Sequence, residues 1–299
     1  MKTVLSVCAA AMVASTAGAG IVNDWNLIVL NNLSGDGDDI EGTAFIGGNF
    51  VSSGSPVLAK NLNAGAYAGV TTVAVGGNFS AINVNMQAGN LRYGGTFSGN
   101  FNPNGGGNRA QDGSIPGMVA GYASQLTGLS TFYRGLTTNS SVTVPGGQPA
   151  PVIYTSGAPS GGVAVFNVAA ASVFNSGLIQ QIELNAGNAS AIVINVSGTS
   201  VNYSNGNMVG GWQTNFARTK VIWNFWEATS IAVNRNFNGA ILAPFATLTN
   251  STAIDGSVFV GAMNQNGEVH LPLFTGYVPA PAGASLIAGA GLLALRRRR

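Results

Sequence analysis

The sequence predicts a mainly β protein, an irregular β-solenoid (β-helix-like) with one amphipathic α-helix packed on its flank. Three observations support this fold class. The composition includes 43 Gly and only 7% charged residues, and its many Asn, Ser, Thr and Val favour strands and tight turns over helices. Short alternating strands that end in Gly-Gly recur along the chain, and a single segment has helical spacing.

The first strands establish the repeat. A strand is predicted over residues 25–30, followed by an acidic, Gly-rich turn over 33–41. The phrase at 42–50 returns at 72–79 and, more loosely, at 91–97, each time with a Gly-Gly turn. Stacked coils of a solenoid repeat in this way. Because the period is irregular, a β-sandwich is the alternative fold.

Helical spacing occurs between residues 115 and 136, where apolar side chains recur at three- and four-residue steps. Ser114 is the predicted N-cap, and Pro116 lies in the first turn. Gly117, Gly121 and Gly128 each cost such a helix ~1 kcal/mol relative to Ala. The helix is therefore expected to gain its stability by docking on the sheet.

The strands after the helix follow a Pro- and Gly-rich loop over 145–162. Residues 191–196 are apolar at nearly every position, which is typical of a strand buried on both faces. Two further phrases, at 238–244 and 255–261, place glycines 17 residues apart. The other predicted strands cover 162–168, 220–226 and 231–233.

The first residues have the pattern of a signal peptide. Residues 1–19 contain Lys2, a short apolar run and a small-x-small sequence that ends at Ala19. The apolar run is shorter than the ~20 residues that span a bilayer, so cleavage after Ala19 is expected. The mature protein would begin near Gly20 and be exported.

The last residues, 278–299, have the layout of a sorting signal. Val278, Pro279 and Pro281 precede a short apolar segment, which runs into a cluster that includes Arg296 and Arg297. Terminal arginines hold such an end in the cytoplasm, so transient insertion into the inner membrane is expected before processing. The alternative is a membrane helix that is retained.

Residues 20–277 are expected to form one domain. Without the four terminal arginines and Lys2, the chain has seven basic and ten acidic residues, so no basic patch for nucleic acid is expected. The only cysteine, Cys8, lies in the signal peptide, so no disulfide is expected in the mature chain.

Short phrases across residues 22–277 are similar to the choice-of-anchor A family, in that family's order. They are Glu41-Gly42 with 47–49, 194–198, 221–225, 227–229, 239–244 and 254–257. The C-terminal segment resembles the PEP-CTERM signal that exosortase-type proteases process in Gram-negative bacteria, although Ala280 replaces the usual acidic residue. The resemblance implies an adhesive domain tethered to the membrane before processing, then displayed on the cell surface or in the extracellular matrix.

Little in the sequence indicates catalysis. His270 is the only histidine, which excludes zinc sites with several histidines, and a lone exposed strand histidine is expected. The protein is therefore predicted not to be an enzyme. One cluster contains possible metal ligands. Asp36, Asp38, Asp39 and Glu41 offer carboxylate oxygens on a flexible loop, as a Ca²⁺ site does. A solvated acidic turn is the alternative, and no other cofactor is expected.

Three functions remain open. An adhesive or structural surface protein, with matrix, polysaccharide or another cell surface as its partner, fits the low charge best. A polysaccharide-binding or polysaccharide-active β-helix is the alternative, for which Trp212, Trp223, Phe225 and Trp226 are candidate stacking residues. Binding to ice or a crystalline surface would require regular Thr-x-Thr ladders, and only fragments such as 247–249 occur.

Overall fold

The computed structural model describes residues 20–276 and Val278. The first strands are β1 (Leu27–Val29), β2 (Leu33–Gly35), β3 (Ala44–Ile46), β4 (Phe50–Ser52), β5 (Val57–Leu58), β6 (Thr71–Val75), β7 (Phe79–Met86), β8 (Asn90–Tyr93), β9 (Phe97–Asn102) and β10 (Arg109–Gln111). They are followed by β11 (Ser141–Thr143), β12 (Ala150–Thr155), β13 (Val163–Ala169), β14 (Ile179–Asn185), β15 (Ala191–Ser197), β16 (Ser200–Tyr203) and β17 (Asn207–Val209). The last are β18 (Val221–Asn224), β19 (Ser230–Val233), β20 (Phe237–Asn238), β21 (Ala240–Asn250), β22 (Ile254–Asp255), β23 (Val258–Gln265) and β24 (Val269–His270). The helices are α1 (Ile21–Asp24), α2 (Ile115–Arg134), α3 (Ala170–Val173) and α4 (Asn215–Lys220), with a 3-10 turn at Gly210–Gln213.

The strands form a three-sided parallel solenoid, which confirms the predicted fold class and excludes the sandwich. Among the described strands, β11 with β12 is the only antiparallel pair. The first side has the strand order β10–β8–β6–β3–β1–β23–β21–β18–β15–β13. We call it the helix face, because α2 lies along it.

The second side, called here the neutral face, has the order β9–β7–β4–β2–β23–β21–β19–β16. The third side contains β20, β22 and β24, with β5 and the second halves of β7 and β9 beyond them. At the far end, the N–H of Asn238 on β20 donates to the sulfur of Met208 on β17, which belongs to the separate sheet of β12, β14 and β17. We call this side the charged face.

The order of the coils along the solenoid differs from their order in the chain. The first coil lies in the middle of the solenoid, and the next coils stack outward as far as β10. Helix α2 then carries the chain back along the helix face, and the remaining coils stack inward until β23 pairs with β1. Leu27 of the first coil is thus in register with Val258 of the last.

The Gly-Gly turns stack directly on one another at the corner between the helix face and the neutral face. A Cβ on Gly76 would come within 2.2 Å of the carbonyl oxygen of Gly47. Next to these glycines runs an asparagine ladder, in which the backbone N–H of Asn78 donates to Oδ1 of Asn49 at 2.8 Å and that of Thr96 donates to Oδ1 of Asn78 at 2.8 Å. The repeated Gly-Gly-Asn phrase thus encodes the close stacking of these corners.

Inside the solenoid, large side chains from successive coils stack in columns. The rings of Phe50 and Phe79 are parallel within 2° at 4.5 Å, and Phe79 stacks on Phe97 at 5.2 Å. In the other half of the solenoid, Trp212 and Trp223 stack at 4.9 Å and are fully buried. Such continuous packing makes the solenoid a rigid support for its outer surfaces.

Helix α2 begins at Ile115, as predicted, and ends at Arg134, two residues earlier than predicted. Pro116 is in the first turn, but Ser114 makes no side-chain cap, because its N–H and hydroxyl both donate to Oδ1 of Asp112. The helix covers strands that are buried on both faces, including β15, where every residue from Ala191 to Val196 is buried as predicted. The sequence predicts a turn over 33–41, but strand β2 forms at its start. This difference arises because the β2 residues pair with both β4 and β23.

Candidate functional site

The neutral face is an exposed surface built on the solenoid strands. One column of side chains crosses it in register from coil to coil. Its members are Ser98, Ser80, Val51, Ser34, Asn264, Thr249, Ala232 and Asn202. A second, parallel column contains Ser200, Ser230, Thr247 and Ala262.

The two columns point outward because the residues between them point into the core. On β4, Phe50 and Ser52 are buried while Val51 is 48% exposed. Polar side chains within the column are held by one another: Ser34 Oγ donates to Asn264 Oδ1 at 2.8 Å, and Asn264 Nδ2 donates to Thr249 Oγ1 at 3.3 Å. Neighbouring strands are ~4.8 Å apart, so the face presents small groups at a regular spacing.

This surface carries no charge among the described residues. No Asp, Glu, Lys or Arg occurs in the strand segments that form the neutral face. Sequence reasoning noted the Thr247–Thr249 fragment but did not find the column, because other coils place Ser, Asn, Ala or Val at the same position. Only the strand register, which joins residues up to 230 positions apart, reveals it.

The charged face has a different character. His270 lies between two carboxylates, with Nδ1 2.8 Å from Asp255 Oδ1 and Nε2 2.7 Å from Glu268 Oε2. Lys60 Nζ lies 3.4 Å from Glu268 Oε1 and 2.6 Å from Asp39 Oδ2, and Arg218 lies 3.4 Å from Asp255. His270 is on strand β24, as expected, but it belongs to a network of ion pairs and is not a lone exposed side chain.

Burial alone lowers the pKa of His270, but its hydrogen bonds to Asp255 and Glu268 and the charges of Glu41 and Asp255 outweigh this effect. The pKa of His270 is therefore raised above its ordinary value. The hydrogen bond from His270 correspondingly lowers the pKa of Glu268. The raised pKa favours the protonated imidazole, which forms ion pairs with both carboxylates.

The four carboxylates of the predicted calcium site are distributed between two places. Asp36 and Asp38 lie side by side, and burial together with the hydrogen bond and charge of Asp36 raises the pKa of Asp38 to about 6. Asp39 pairs with Lys60 and accepts from the N–H of Val57, and Glu41 accepts from the N–H of Leu271 at 2.8 Å. Glu41, Glu268 and His270 form a second group whose ligand atoms lie within 4.8 Å of one another. The calcium site stays a prediction.

The predicted aromatic cluster divides between core and surface. Trp212, Trp223 and Phe225 are buried in the solenoid interior, and Trp226 is half-buried on the outside. Trp223 and Phe225 thus share the core face, and only Trp226 remains a candidate for stacking on a ligand.

Most residues assigned to processing lie outside the described residues. These are Ala19, Pro279, Pro281, Arg296 and Arg297, whereas Val278 is described and is buried. The predicted C-terminal membrane helix lies outside as well. Within residues 20–276, none of the helices has the length and apolarity needed to span a membrane.

The strand pairing and the exposed neutral face define the class of this protein: a parallel β-solenoid that presents an uncharged strand surface beside a helix-covered one. The chain belongs to the family described as "Putative Ice-binding-like adhesive domain", whose model matches residues 18–271. That description is of an adhesive domain and not of an enzyme, and it supports the adhesive part of the resemblance seen in the sequence.

Solved structures with similarity to the chain have names that refer to ice binding. An ice-binding protein from the Antarctic ascomycete Antarctomyces psychrotrophicus is 12% identical with a TM-score of 0.35, covering 85% of this chain and 97% of that one. An ice-binding protein from an Antarctic biological consortium is 14% identical with a TM-score of 0.38, covering 85% and 90%. The DUF3494 domain of a Shewanella frigidimarina ice-binding protein is 12% identical with a TM-score of 0.34, covering 84% and 95%. A search of curated proteins finds no match to the chain.

Proposed function

We propose that this protein is an exported, non-catalytic adhesive domain that attaches through its neutral face to an uncharged surface with a regular repeat. The observation that supports the proposal is the in-register column from Ser98 to Asn202. Its side chains are small, neutral and polar or weakly apolar, and a rigid core holds them in place.

The chemistry of the face favours a neutral partner. A charged polymer would have to lose water around its charges without gaining an opposite charge in return. A flat, pre-ordered surface loses little conformational entropy on binding, so many weak contacts can add up on a repeating partner. Ice and an uncharged crystalline polysaccharide both present such a repeat, and the family description and the names of similar structures favour testing ice first.

The experiment measures partition of the purified protein into growing ice and onto cellulose and chitin particles. Thr249→Lys and Ser34→Lys place bulky charges in the middle of the column, and we expect each to reduce partition by about tenfold, the effect of ~1.4 kcal/mol. Gln181→Lys is the matched control, because Gln181 is an exposed strand residue on β14, away from the neutral face. Equal partition of all three variants would contradict a role for the neutral face.

We propose export and C-terminal processing as the sequence indicates. Three sequence features support this proposal: the choice-of-anchor A-like phrases, the signal-peptide pattern over 1–19 and the PEP-CTERM-like segment over 278–299. An exosortase-type protease would be the processing partner, and the cell surface or the extracellular matrix the destination. Intact-mass analysis of protein from its own cells tests the proposal: a species that begins near Gly20 and ends before Ala282 is expected, whereas one that keeps Arg299 in the membrane fraction contradicts processing.

We also propose calcium binding at the acidic loop of Asp36, Asp38, Asp39 and Glu41, of which the first two have no basic partner among the described residues. Sites of this kind in extracellular proteins bind with dissociation constants on the order of 0.1–1 mM. Isothermal titration of calcium is expected to show heat for the wild-type protein and none for Asp36→Asn. The absence of heat and of thermal stabilisation in the wild type at millimolar calcium would end this proposal.

A further inference from the structure

Arg134 and Trp226 form a stacked pair on the surface where the helix face meets the neutral face. The guanidinium carbon of Arg134, the last residue of α2, lies 3.5 Å from the centroid of the Trp226 ring. Trp226 lies in the turn between β18 and β19, so it belongs to the solenoid corner. Such a stack is an attractive cation–π contact.

The end of α2 is fixed in place by another asparagine ladder. Asn224 Nδ2 donates to Asn195 Oδ1 at 2.8 Å, and Asn195 Nδ2 donates to Asn167 Oδ1 at 3.1 Å. The same amides hold the helix, because Asn195 Nδ2 also donates to the carbonyl oxygen of Tyr133 at 2.8 Å. The backbone next to Arg134 is therefore anchored to the sheet, and the end of α2 that carries this side chain is held at the solenoid corner.

Arg134 and Trp226 both line each of two cavities. The first has a volume of about 360 Å³ and is also lined by Asn167, Asn195 and Ser197, with no acidic residue. The second has a volume of about 330 Å³ and is also lined by Glu227 and by Phe245. Cavities of ~300–1,000 Å³ are of the size that holds small ligands.

Arg134 differs from the other arginines of the described chain in having no protein acceptor. Arg92, Arg109, Arg218 and Arg235 each donate to a carbonyl, amide, hydroxyl or carboxylate oxygen. Within residues 20–276, the guanidinium of Arg134 forms no such hydrogen bond and no ion pair. Glu227 forms no ion pair with Arg134 among the described residues; its Oε1 accepts from the N–H of Gly198 at 2.7 Å, and it lines the second cavity together with Arg134.

We propose that the first cavity is a binding site for a carboxylate-bearing sugar, such as a uronic acid residue of an acidic polysaccharide. A guanidinium that lies flat on an aromatic ring keeps its N–H edges free, and two parallel N–H donors match the two oxygens of a carboxylate. Trp226 lines the same cavity and holds the guanidinium there through the cation–π contact. Asn167, Asn195 and Ser197 give the rest of the cavity a polar, uncharged lining.

This site is separate from the proposed adhesion through the neutral face and has the opposite preference, for an anionic partner. A protein with both would hold a neutral repeating surface on one side and an acidic polymer at the corner. Either activity can fail without the other, because the Lys variants of the neutral face and the variants of Arg134 change different surfaces.

The experiment is isothermal titration of the purified chain with trigalacturonic acid and with its methyl ester, which has the same sugar rings without the charges. Arg134→Gln removes the cation but keeps an amide, and Trp226→Leu removes the ring. Arg109→Gln is the matched control, since Arg109 also stacks on an aromatic ring, with its guanidinium carbon 4.2 Å from the centroid of Phe97. The melting temperature of each variant establishes that it is folded.

The acid is expected to bind one site on the wild type and on Arg109→Gln, and at least about tenfold more weakly on Arg134→Gln, as the loss of a charge-assisted hydrogen-bonded pair predicts. Weaker binding to Trp226→Leu and to the methyl ester is also expected. No heat with the wild type at concentrations on the order of 10 mM overturns the site. Equal binding of the acid and its ester, or of the wild type and a folded Arg134→Gln, overturns the role of the carboxylate.

Discussion

The side-chain amide of Asn224 donates to the backbone carbonyl of Ser130 at 2.9 Å, and this bond joins the long helix to a buried strand of the solenoid. In return, the hydroxyl of Ser130 donates to Asn224 Oδ1 at 2.6 Å. Both side chains are buried, so water cannot replace the bonds once they are broken. The helix is thus attached to the sheet by specific polar contacts as well as by its apolar stripe.

Asn224→Ala is expected to lower the free energy of unfolding by about 2–4 kcal/mol. The substitution removes the hydrogen bonds to Ser130 and Asn195, each worth ~1 kcal/mol, and leaves buried groups without partners. Urea denaturation measures the loss. Ser230→Ala, at an exposed strand position, is the control and should stay within ~0.5 kcal/mol of the wild type. A loss for Asn224→Ala no larger than the control would show that the ladder does not hold the helix.

Two glycine-to-alanine substitutions should change the free energy of unfolding in opposite directions. Gly76→Ala is expected to destabilise the fold by several kcal/mol, on the order of an overpacked core or more, because its Cβ would lie 2.2 Å from the carbonyl oxygen of Gly47. Gly121→Ala is expected to stabilise the protein by ~0.5–1 kcal/mol, because that helical glycine faces open space and Ala favours the helix. Thermal unfolding of the pair checks both signs, and a tolerated Gly76→Ala would contradict the stacked corner.

The His270 network predicts a loss of stability at alkaline pH. Because the pKa of His270 is raised in the folded state, its contribution is complete below its ordinary pKa of 6.5 and is lost as the pH rises through the raised value. The groups that face it are Asp255, Glu268 and Glu41, with Arg218 and Lys60 paired to the first two. Urea midpoints at about pH 6 and about pH 9 should differ more for the wild type than for His270→Gln. Identical differences would contradict the ion-pair assignment.

The Asp36–Asp38 pair predicts a second pH effect at acidic pH. Burial and Asp36 raise the pKa of Asp38 to about 6 from an ordinary 3.8, so the protonated form is favoured in the folded state and the associated stability is lost as the pH rises through about 6. Asp36→Asn should move the pKa of Asp38 towards its ordinary value, as NMR titration of the carboxyl carbon would report. Asp24→Asn, at an exposed position, should leave it unchanged.

Local sequence patterns predicted where a helix or strand lies in the chain better than they predicted which other elements it packs against. The spacing of apolar residues located α2 to within two residues, and the nearly continuous apolar run over 191–196 predicted that β15 is buried on both faces. The Gly-Gly-Asn phrase predicted stacked turns because its chemistry is local to each corner. These features depend on residues that are close in sequence, where periodicity and turn geometry apply directly.

The candidate sites depend on residues that are far apart in sequence. Ser34 meets Asn264 across 230 positions, and Lys60 meets Glu268 across 208. The register that joins them follows from β1 pairing with β23, which no repeat in the sequence specifies. The stack of Arg134 on Trp226 likewise could not be predicted from the sequence, because it depends on where the end of α2 lies on the sheet. The acidic loop showed the same limit, since Lys60 and Leu271 engage two of its carboxylates.

The pairing of β1 with β23 also determines how this solenoid folds and unfolds. In an ordinary repeat protein each unit contacts only its neighbours in sequence, so folding can start anywhere and the ends can fray one unit at a time. Here the first and last coils meet in the interior of the stack, and their contact closes a loop of more than two hundred residues. Long-range closure of this kind slows folding, because the chain loses entropy before the contact is made. Once formed, it makes the two halves of the solenoid a single cooperative unit.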